Sequence, residues 1–351
     1  MTAVASVFSL DQAAREDALL SQLVELTAHH RAASTEYRRI LDALGQGDAA
    51  TYRRVSDLPW LPVRLFKHHT MRSVAESDVF KVLTSSGTTG EVSRIYLDKE
   101  AAGTQQRMLA ATLQSVIGPR RLPMLLVDTR SLFTNRSSFS ARGAGVLGLM
   151  NFGRDHTFVL DEHDQPDVDA MRDFLARHAG ERFLIFGFTY MVWQYLYEIA
   201  RQENLDLSGG VLIHSGGWKK LADKAVDNAT FRERFAADTG LTRIHNFYGM
   251  VEQIGTVYLE GDGGGLYCPD FADVIIRDPQ TWQEAPIGTP GVVEVVSTLP
   301  RSYPGHVLLT EDLGVVHGID DGVWPGKRFS ILGRLPRAEA RGCSDTFEAA
   351  R

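Results

Sequence analysis

Cysteine is nearly missing from this chain, and its scarcity excludes a whole class of small stapled folds. The 351 residues include two, Cys268 and Cys343, in unlike contexts 75 positions apart. No disulfide framework is expected, and a reducing cytoplasm is the default compartment. There is no Cys-x-x-Cys, and His29-His30 and His68-His69 are sequence neighbours rather than i, i+4 pairs, so a zinc site is not expected. No apolar run approaches the roughly 18 residues needed to span a bilayer. The first ten residues carry no basic side chain and lead into Asp11, Arg15, Glu16 and Asp17, unlike a secretion signal. Runs of Lys and Arg are also missing, and the formal charge of −7 argues against a nucleic-acid partner. A Gly-x-Ser-x-Gly nucleophile elbow is absent as well. What remains is ordinary globular material, 44% hydrophobic and 23% charged, long enough for about two domains or one large one.

Hydrophobic spacing gives the organisation. Leu19, Leu20, Leu23 and Leu26, then Ile40, Leu41 and Leu44, predict two helices over residues 11–45 that part near Ala32–Ser34. Pro59 and Pro62 forbid a long helix over 58–67 and predict an extended arm. From Asp98 to about Tyr248, strands of four or five apolar residues alternate with helices of 10–15. That pattern predicts crossover units on a parallel sheet covered on both faces. One of these helices is predicted over 223–235. After Glu252 the segments 256–259, 266–268, 274–277, 292–296, 307–309 and 329–332 predict short antiparallel strands. The expected division is a helical segment at 1–57, a core at 58–334 and a mobile tail at 335–351.

Chemistry is expected first between two β-prone runs, Val79–Leu83 and Arg94–Leu97. They flank Thr84-Ser85-Ser86-Gly87-Thr88-Thr89-Gly90. Glycines let backbone N–H groups converge on an anion and the hydroxyls add rotatable donors, so the loop suits phosphate oxygens. By itself such a run is equally an ordinary turn. A strand follows it, and no Gly-Lys-Ser/Thr does, so it is neither a Walker A loop nor a dinucleotide fingerprint. Four further stretches end strands, where open parallel sheets place ligands. In Val211–Lys220, the backbone of Gly216-Gly217 can meet a flat heterocycle, with Lys219 or Lys220 near phosphate. In Ile244–Gln253, Tyr248-Gly249 can stack an adenine and Glu252 can hold a hard cation, since Mg²⁺ needs few carboxylates beside phosphates. Asp312 interrupts the apolar run Val307–Val315, so it starts a turn or has a partner such as a ribose diol. Arg334, ending Phe329–Arg334, clamps phosphate or ribose or is simply exposed.

Together these stretches resemble the acyl-adenylate-forming ligase superfamily and, within it, the acyl-protein synthetases of the LuxE type. The resemblance runs from about Leu58 to Cys343. Thr84–Gly90 is similar to its phosphate loop, and His214–Lys219 to the Gly-Gly-Trp-Lys segment at the adenine site. Tyr248–Glu252 is similar to Tyr-Gly-x-Thr-Glu, with Glu252 the Mg²⁺ ligand. Ser302–His306 and Leu309–Asp312 are similar to the ribose region, with Asp312 on the 2′- and 3′-hydroxyls, and Gly333-Arg334 to the hinge. Val92-Ser93-Arg94 stands where the superfamily commonly has Pro-Lys-Gly, and Val251 where it has Thr. The chain ends 17 residues after Arg334, so the superfamily's lysine-bearing C-terminal subdomain is expected to be missing, as in LuxE-type members.

The resemblance implies the large α/β domain of an adenylate-forming ligase, with a parallel sheet and a β-rich section. It also implies ATP and Mg²⁺ as cofactors and a carboxylic acid, fatty or related, as substrate. Cys343 is the implied acyl acceptor, Glu252, Lys219 and Arg334 are implied in adenylation, and a reductase or carrier protein is the onward partner. Nine extended residues, the separation of Arg334 from Cys343, reach roughly 30 Å. Two other readings stand beside this one. One is an acyl-CoA ligase resembling phenylacetate-CoA ligases, and the other a non-catalytic nucleotide-binding partner of a reductase. Gly187–Tyr190 and Trp193 are candidates for the acid's pocket, and Cys268 is read as structural.

Overall fold

The computed structural model describes residues 6–46, 52–85, 92–133, 141–218 and 224–335. Helices α1 (Gln12–Ala33) and α2 (Thr35–Ala43) are separated by Ser34 alone. Asp11 caps α1 by accepting from Ala14 N at 2.8 Å, and the Ser34 hydroxyl caps α2 at Tyr37 N. The proline-bearing arm holds the two-residue strand β1 (Leu61–Pro62) and the single-turn helix α3 (Leu65–His68). Strands β2 (Lys81–Thr84) and β3 (Arg94–Leu97) form the expected antiparallel hairpin. Asp98 accepts from Ala101 N at 2.7 Å and starts α4 (Lys99–Ile117).

Next come β4 (Leu122–Thr129), α5 (Ala141–Met150), β5 (Gly153–Leu160), α6 (Val168–Arg177) and β6 (Phe183–Phe188). A helical stretch follows as α7 (Thr189–Met191), a π-helical turn at Val192–Tyr197, and α8 (Glu198–Gln202). Then β7 (Gly210–Ser215), α9 (Asn228–Thr239) and β8 (Arg243–Tyr248) complete the alternation. Helix α9 starts five residues later than the 223–235 expected and ends four later. Its limits are set by Asp227, which accepts from Thr230 N, and by Gly240 at φ 73°. The antiparallel strands are β9 (Tyr258–Glu260), β10 (Leu266–Tyr267), β11 (Ala272–Arg277), β12 (Gly291–Ser297), β13 (Val307–Ile319) and β14 (Lys327–Arg334).

Two compact units result, one from residues 1–115, 248–261 and 265–340, the other mainly from 116–247. In the second, β8, β7, β6, β4 and β5 lie side by side and all parallel. Their near-continuous apolar runs are those of strands covered on both faces. In the first, β11, β12, β13, β14, β10 and β9 follow one another antiparallel. Alternate residues of this sheet enter two cores. Val274, Ile276, Val293 and Val295 pack with Tyr37, Phe66 and Tyr303, while Ile275, Val296 and Val307 pack with Leu19, Leu23 and Leu26 of α1. Glu294, wholly buried on β12, is matched by a bidentate pair with Arg277 at 2.8 and 2.9 Å.

Strand β13 differs most from expectation. It does not stop at Leu309 but runs ten residues further, to Ile319. Its first part pairs with β1 on one side, at Leu61↔Leu308, and its later part pairs with β14 from Asp312↔Arg334 onward. Asp312 stands where the neighbour changes, and its carboxylate has partners there, so the strand continues through it.

Candidate active site

The hairpin in the first unit ends in a closed neck. Thr84 faces Arg94 across the two strands, Ser85 N donates to Ser93 O at 3.2 Å, and Ser93 N donates to Ser85 Oγ at 2.9 Å. Ser93 is fully buried, so the neck is anchored while Thr84 is exposed. The remaining loop residues named from the sequence, Ser86, Gly87, Thr88, Thr89 and Gly90, lie outside the described residues.

Three residues singled out separately in the sequence meet in this same unit. Tyr248 Oη donates to Asp312 Oδ2 at 2.6 Å, and Arg334 Nε lies 3.5 Å from Asp312 Oδ1. The Asp312 backbone is fixed as well, its N donating to Thr310 Oγ1 at 3.1 Å while Thr310 donates to Val293 O. Burial, and then the Asp312 charge, hold the Tyr248 phenol well above its ordinary pKa, so it stays a donor. Burial raises the Asp312 carboxyl too, with the Tyr248 hydrogen bond and Arg334 opposing the rise. Asp312 is 13% exposed and Arg334 36%. A carboxylate has about four lone-pair positions, so this one keeps acceptor capacity for hydroxyl donors such as a vicinal diol. Gly249, next to Tyr248, is exposed backbone.

Glu252 sits on the single 3₁₀ turn Val251–Gln253 and is 5% exposed. Two glycines press this turn into place. A Cβ on Gly305 would stand 2.7 Å from the Glu252 carbonyl, and one on Gly255, at φ 89°, would stand 2.6 Å from Gln105 Cβ on α4. Gln253 Nε2 donates to Gly305 O at 2.9 Å and Val295 O at 3.1 Å, tying the turn to β12 and to the 302–306 segment. Among the described residues no group of three or more His, Cys, Asp or Glu could hold a metal ion by itself. One nearly buried carboxylate is a hard oxygen donor, and it fits Mg²⁺ shared with nucleotide phosphates rather than a soft-ligand metal.

In the second unit, β7 ends at Ser215, whose hydroxyl donates to Phe247 O at 2.9 Å. Gly216 follows at φ 84°, and both Gly216 and Gly217 are exposed, leaving their backbone groups accessible. Trp218 meets Trp193 of the π-helical turn edge-on at 5.5 Å. His214, 2% exposed, bonds Thr189 Oγ1 through Nδ1 at 2.9 Å and stacks on Phe231. Burial, with Arg232 adding to it, lowers the His214 imidazole to about 3, so it is neutral. Lys219 and Lys220 lie outside the described residues, as does Cys343. Cys268 is fully buried, and burial pushes its thiol up, in keeping with a structural role.

Sequence reading left two residues near the Val251–Gly255 turn without a part. Gln105 gave no signal in a helix of ordinary composition. Tyr303 lay within a motif quoted for another reason. The positive-φ Gly255 three residues after Glu252 marks the close approach to Gln105.

The family model described as "Acyl-protein synthetase, LuxE" matches residues 4–350. A long-chain-fatty-acid–luciferin-component ligase of Aliivibrio fischeri is 23% identical over 331 residues, covering 90% of this chain and 84% of that protein. Its counterpart in Vibrio harveyi is 24% identical over 340 residues, with 93% and 86% covered. Among solved structures, an open conformation of a 2-hydroxyisobutyryl-CoA ligase in complex with 2-HIB-AMP and CoA has a TM-score of 0.68 at 18% identity. It covers 93% of this chain and 76% of that one. The same ligase in its postadenylation state gives 0.69, with 94% and 70% covered. The fold is thus that of an adenylate-forming ligase, as the motifs implied.

Proposed function

The chain belongs to the acyl-protein synthetase family of LuxE type and is a ligase of that type, and on that premise we propose that it activates a carboxylic acid, fatty or related, with ATP and transfers the acyl group to its own Cys343. The observation that carries the nucleotide half is the Tyr248–Asp312–Arg334 cluster, assembled from residues far apart in sequence. Asp312 accepts from the ribose hydroxyls, and Tyr248 fixes it through the bond to Oδ2. The exposed Arg334 guanidinium is placed to meet phosphate. The loop of residues 84–90 is assigned to the ATP phosphates for its backbone N–H groups and hydroxyls, and Lys219 is assigned as an added cation. Glu252 would hold Mg²⁺, which supplies neutralisation of phosphate charge.

In the first step a carboxylate oxygen of the acid attacks the α-phosphorus. The bond to the bridging oxygen breaks, giving acyl-adenylate and pyrophosphate. The protein contributes positioning and charge stabilisation rather than covalent chemistry. In the second, the Cys343 thiolate attacks the acyl carbonyl and AMP leaves. The thioester then passes to a reductase or carrier protein. A compartment that keeps thiols reduced suits this step, so the cytoplasm is the proposed location. No helix among the described residues is long and apolar enough to cross a membrane.

The test is labelling with radioactive acid and ATP. Wild-type protein is expected to carry hydroxylamine-labile label, and Cys343→Ser to lose it while still forming acyl-adenylate. Persistence of thioester label in Cys343→Ser overturns the acceptor assignment. Product formed only with added coenzyme A would favour an acyl-CoA ligase instead.

A further inference from the structure

Strand β13 changes neighbours between Leu309 and Asp312, and a second carboxylate stands in that gap. Glu311 immediately precedes Asp312, and its side chain is 17% exposed. Arg64, the last residue of the arm before α3, reaches it. Its Nε donates to Glu311 Oε1 at 2.8 Å, and its Nη2 lies 2.6 Å from the same oxygen. The arm is fixed on β13, where Val63 N donates to Leu309 O at 2.9 Å next to the Pro62↔Leu309 pair. On the other side the Glu311 carbonyl accepts from Leu335 N at 2.9 Å, one residue past the Asp312↔Arg334 pair. Two successive acidic residues thus each have an arginine, Arg64 for Glu311 and Arg334 for Asp312. The Arg64 side chain is 51% exposed, so its pair adds little to stability. Its larger consequence is electrostatic. After burial, the Glu311 charge is part of what raises the Asp312 carboxyl. Left unpaired, that charge would also repel a nucleotide polyphosphate bound beside Asp312.

We propose that Arg64 is a positioning residue of the nucleotide site: it holds Glu311 in a neutral pair, so that ATP meets no uncompensated carboxylate beside Asp312. This rests on the reading of Asp312 and Arg334 as nucleotide-binding residues. Arg64 acts through Glu311 and touches neither nucleotide nor acid. The two partners therefore act with opposite sign. Loss of Arg64 leaves a bare anion near the polyphosphate, whereas loss of the Glu311 charge leaves a bare cation there. A pair that only fixed the arm against β13 would give both losses the same sign.

The experiment is equilibrium binding of ATP and of adenosine to the full chain by titration calorimetry. Arg64→Gln is expected to weaken ATP binding about two- to fivefold, the range of an exposed ion pair. The loss should shrink at high salt. Adenosine, which keeps the ribose but carries no phosphate, should bind as it does to wild type. Arg64→Lys should retain most of the ATP affinity. Glu311→Gln should bind ATP at least as tightly as wild type, and adding it to Arg64→Gln should restore binding to within about twofold of wild type. If Arg64→Gln and Glu311→Gln lose ATP affinity alike, or if Arg64→Gln loses adenosine as much as ATP, the pair is merely structural and the proposal fails. It also fails if Asp312→Asn weakens ATP binding while Arg64→Gln does not. If Asp312→Asn leaves ATP binding unchanged, the nucleotide-site reading falls, and the proposal with it.

Discussion

Replacing Asp312 by Asn changes one atom's chemistry and leaves the shape of the site. The amide oxygen can still accept from Tyr248 Oη, which now lies 2.6 Å from Oδ2, so the fold should tolerate the change. The ion pair with Arg334 is lost, but at 3.5 Å, with the arginine 36% exposed, it contributes little to stability. What goes is the charged acceptor, shielded to 13% exposure, that we propose for the ribose hydroxyls. A hydrogen bond to a charged group is worth about 1.5–3 kcal/mol. At about 1.4 kcal/mol per tenfold, Asp312→Asn should weaken ATP binding by about 10- to 100-fold. The assay compares ATP with 2′,3′-dideoxy-ATP on both proteins. Wild type should favour ATP by that factor, while the variant should bind the two nucleotides nearly alike. An equal loss for both nucleotides would refute the reasoning and leave Asp312 as a structural partner of Tyr248.

Acid should destabilise the protein through its buried imidazoles. His30 lies between Ser73 Oγ at 2.8 Å and Pro300 O at 2.9 Å, and His306 Nε2 lies 3.0 Å from Thr27 Oγ1. Burial lowers His30 well below its ordinary pKa and His306 to about 3, so the folded state keeps both neutral while the unfolded chain takes up protons below about 6.5. Their contribution to stability is complete above about pH 6.5 and is lost as pH falls toward about 3. The slope should be near zero above about pH 7 and approach about 1.4 kcal/mol per pH unit per histidine below about pH 6, read by urea unfolding between pH 7.5 and 5. His306→Phe should flatten it, and an unchanged slope in that variant would contradict the assignment. Gly255→Ala puts a Cβ at φ 89° and 2.6 Å from Gln105 Cβ. Strain and overpacking together predict a loss of about 2–4 kcal/mol in urea unfolding, and a loss under 1 kcal/mol would mean that the turn yields easily.

How much of this was legible depends on how local its cause is. The hairpin, the cap at Asp98 and the parallel alternation follow from spacing and from residues within a turn of one another. Asp312 was readable as an oddity, because an Asp in an apolar run needs a partner. Its partner Tyr248 is 64 positions away, and nothing in either segment names the other. The same distance effect hid the length of β13, whose polar Thr310-Glu311-Asp312 looks like a strand end until β14 and Tyr248 are brought beside it. The start of α9 falls later than expected because Asp227 is the residue that accepts from the helix at Thr230 N. In sequence His30 stood out only as the neighbour of His29. It is buried because α1 turns that face toward Ser73 and Pro300.

The central claim is that this chain forms an acyl-adenylate from a free carboxylic acid. Acid-dependent exchange of radioactive pyrophosphate into ATP, run without coenzyme A across a series of carboxylic acids, tests it most directly. The account predicts exchange that requires both Mg²⁺ and an acid, and that falls sharply in Asp312→Asn at subsaturating ATP. Well-folded protein that binds ATP and Mg²⁺ yet gives no exchange with any acid in the series would contradict it.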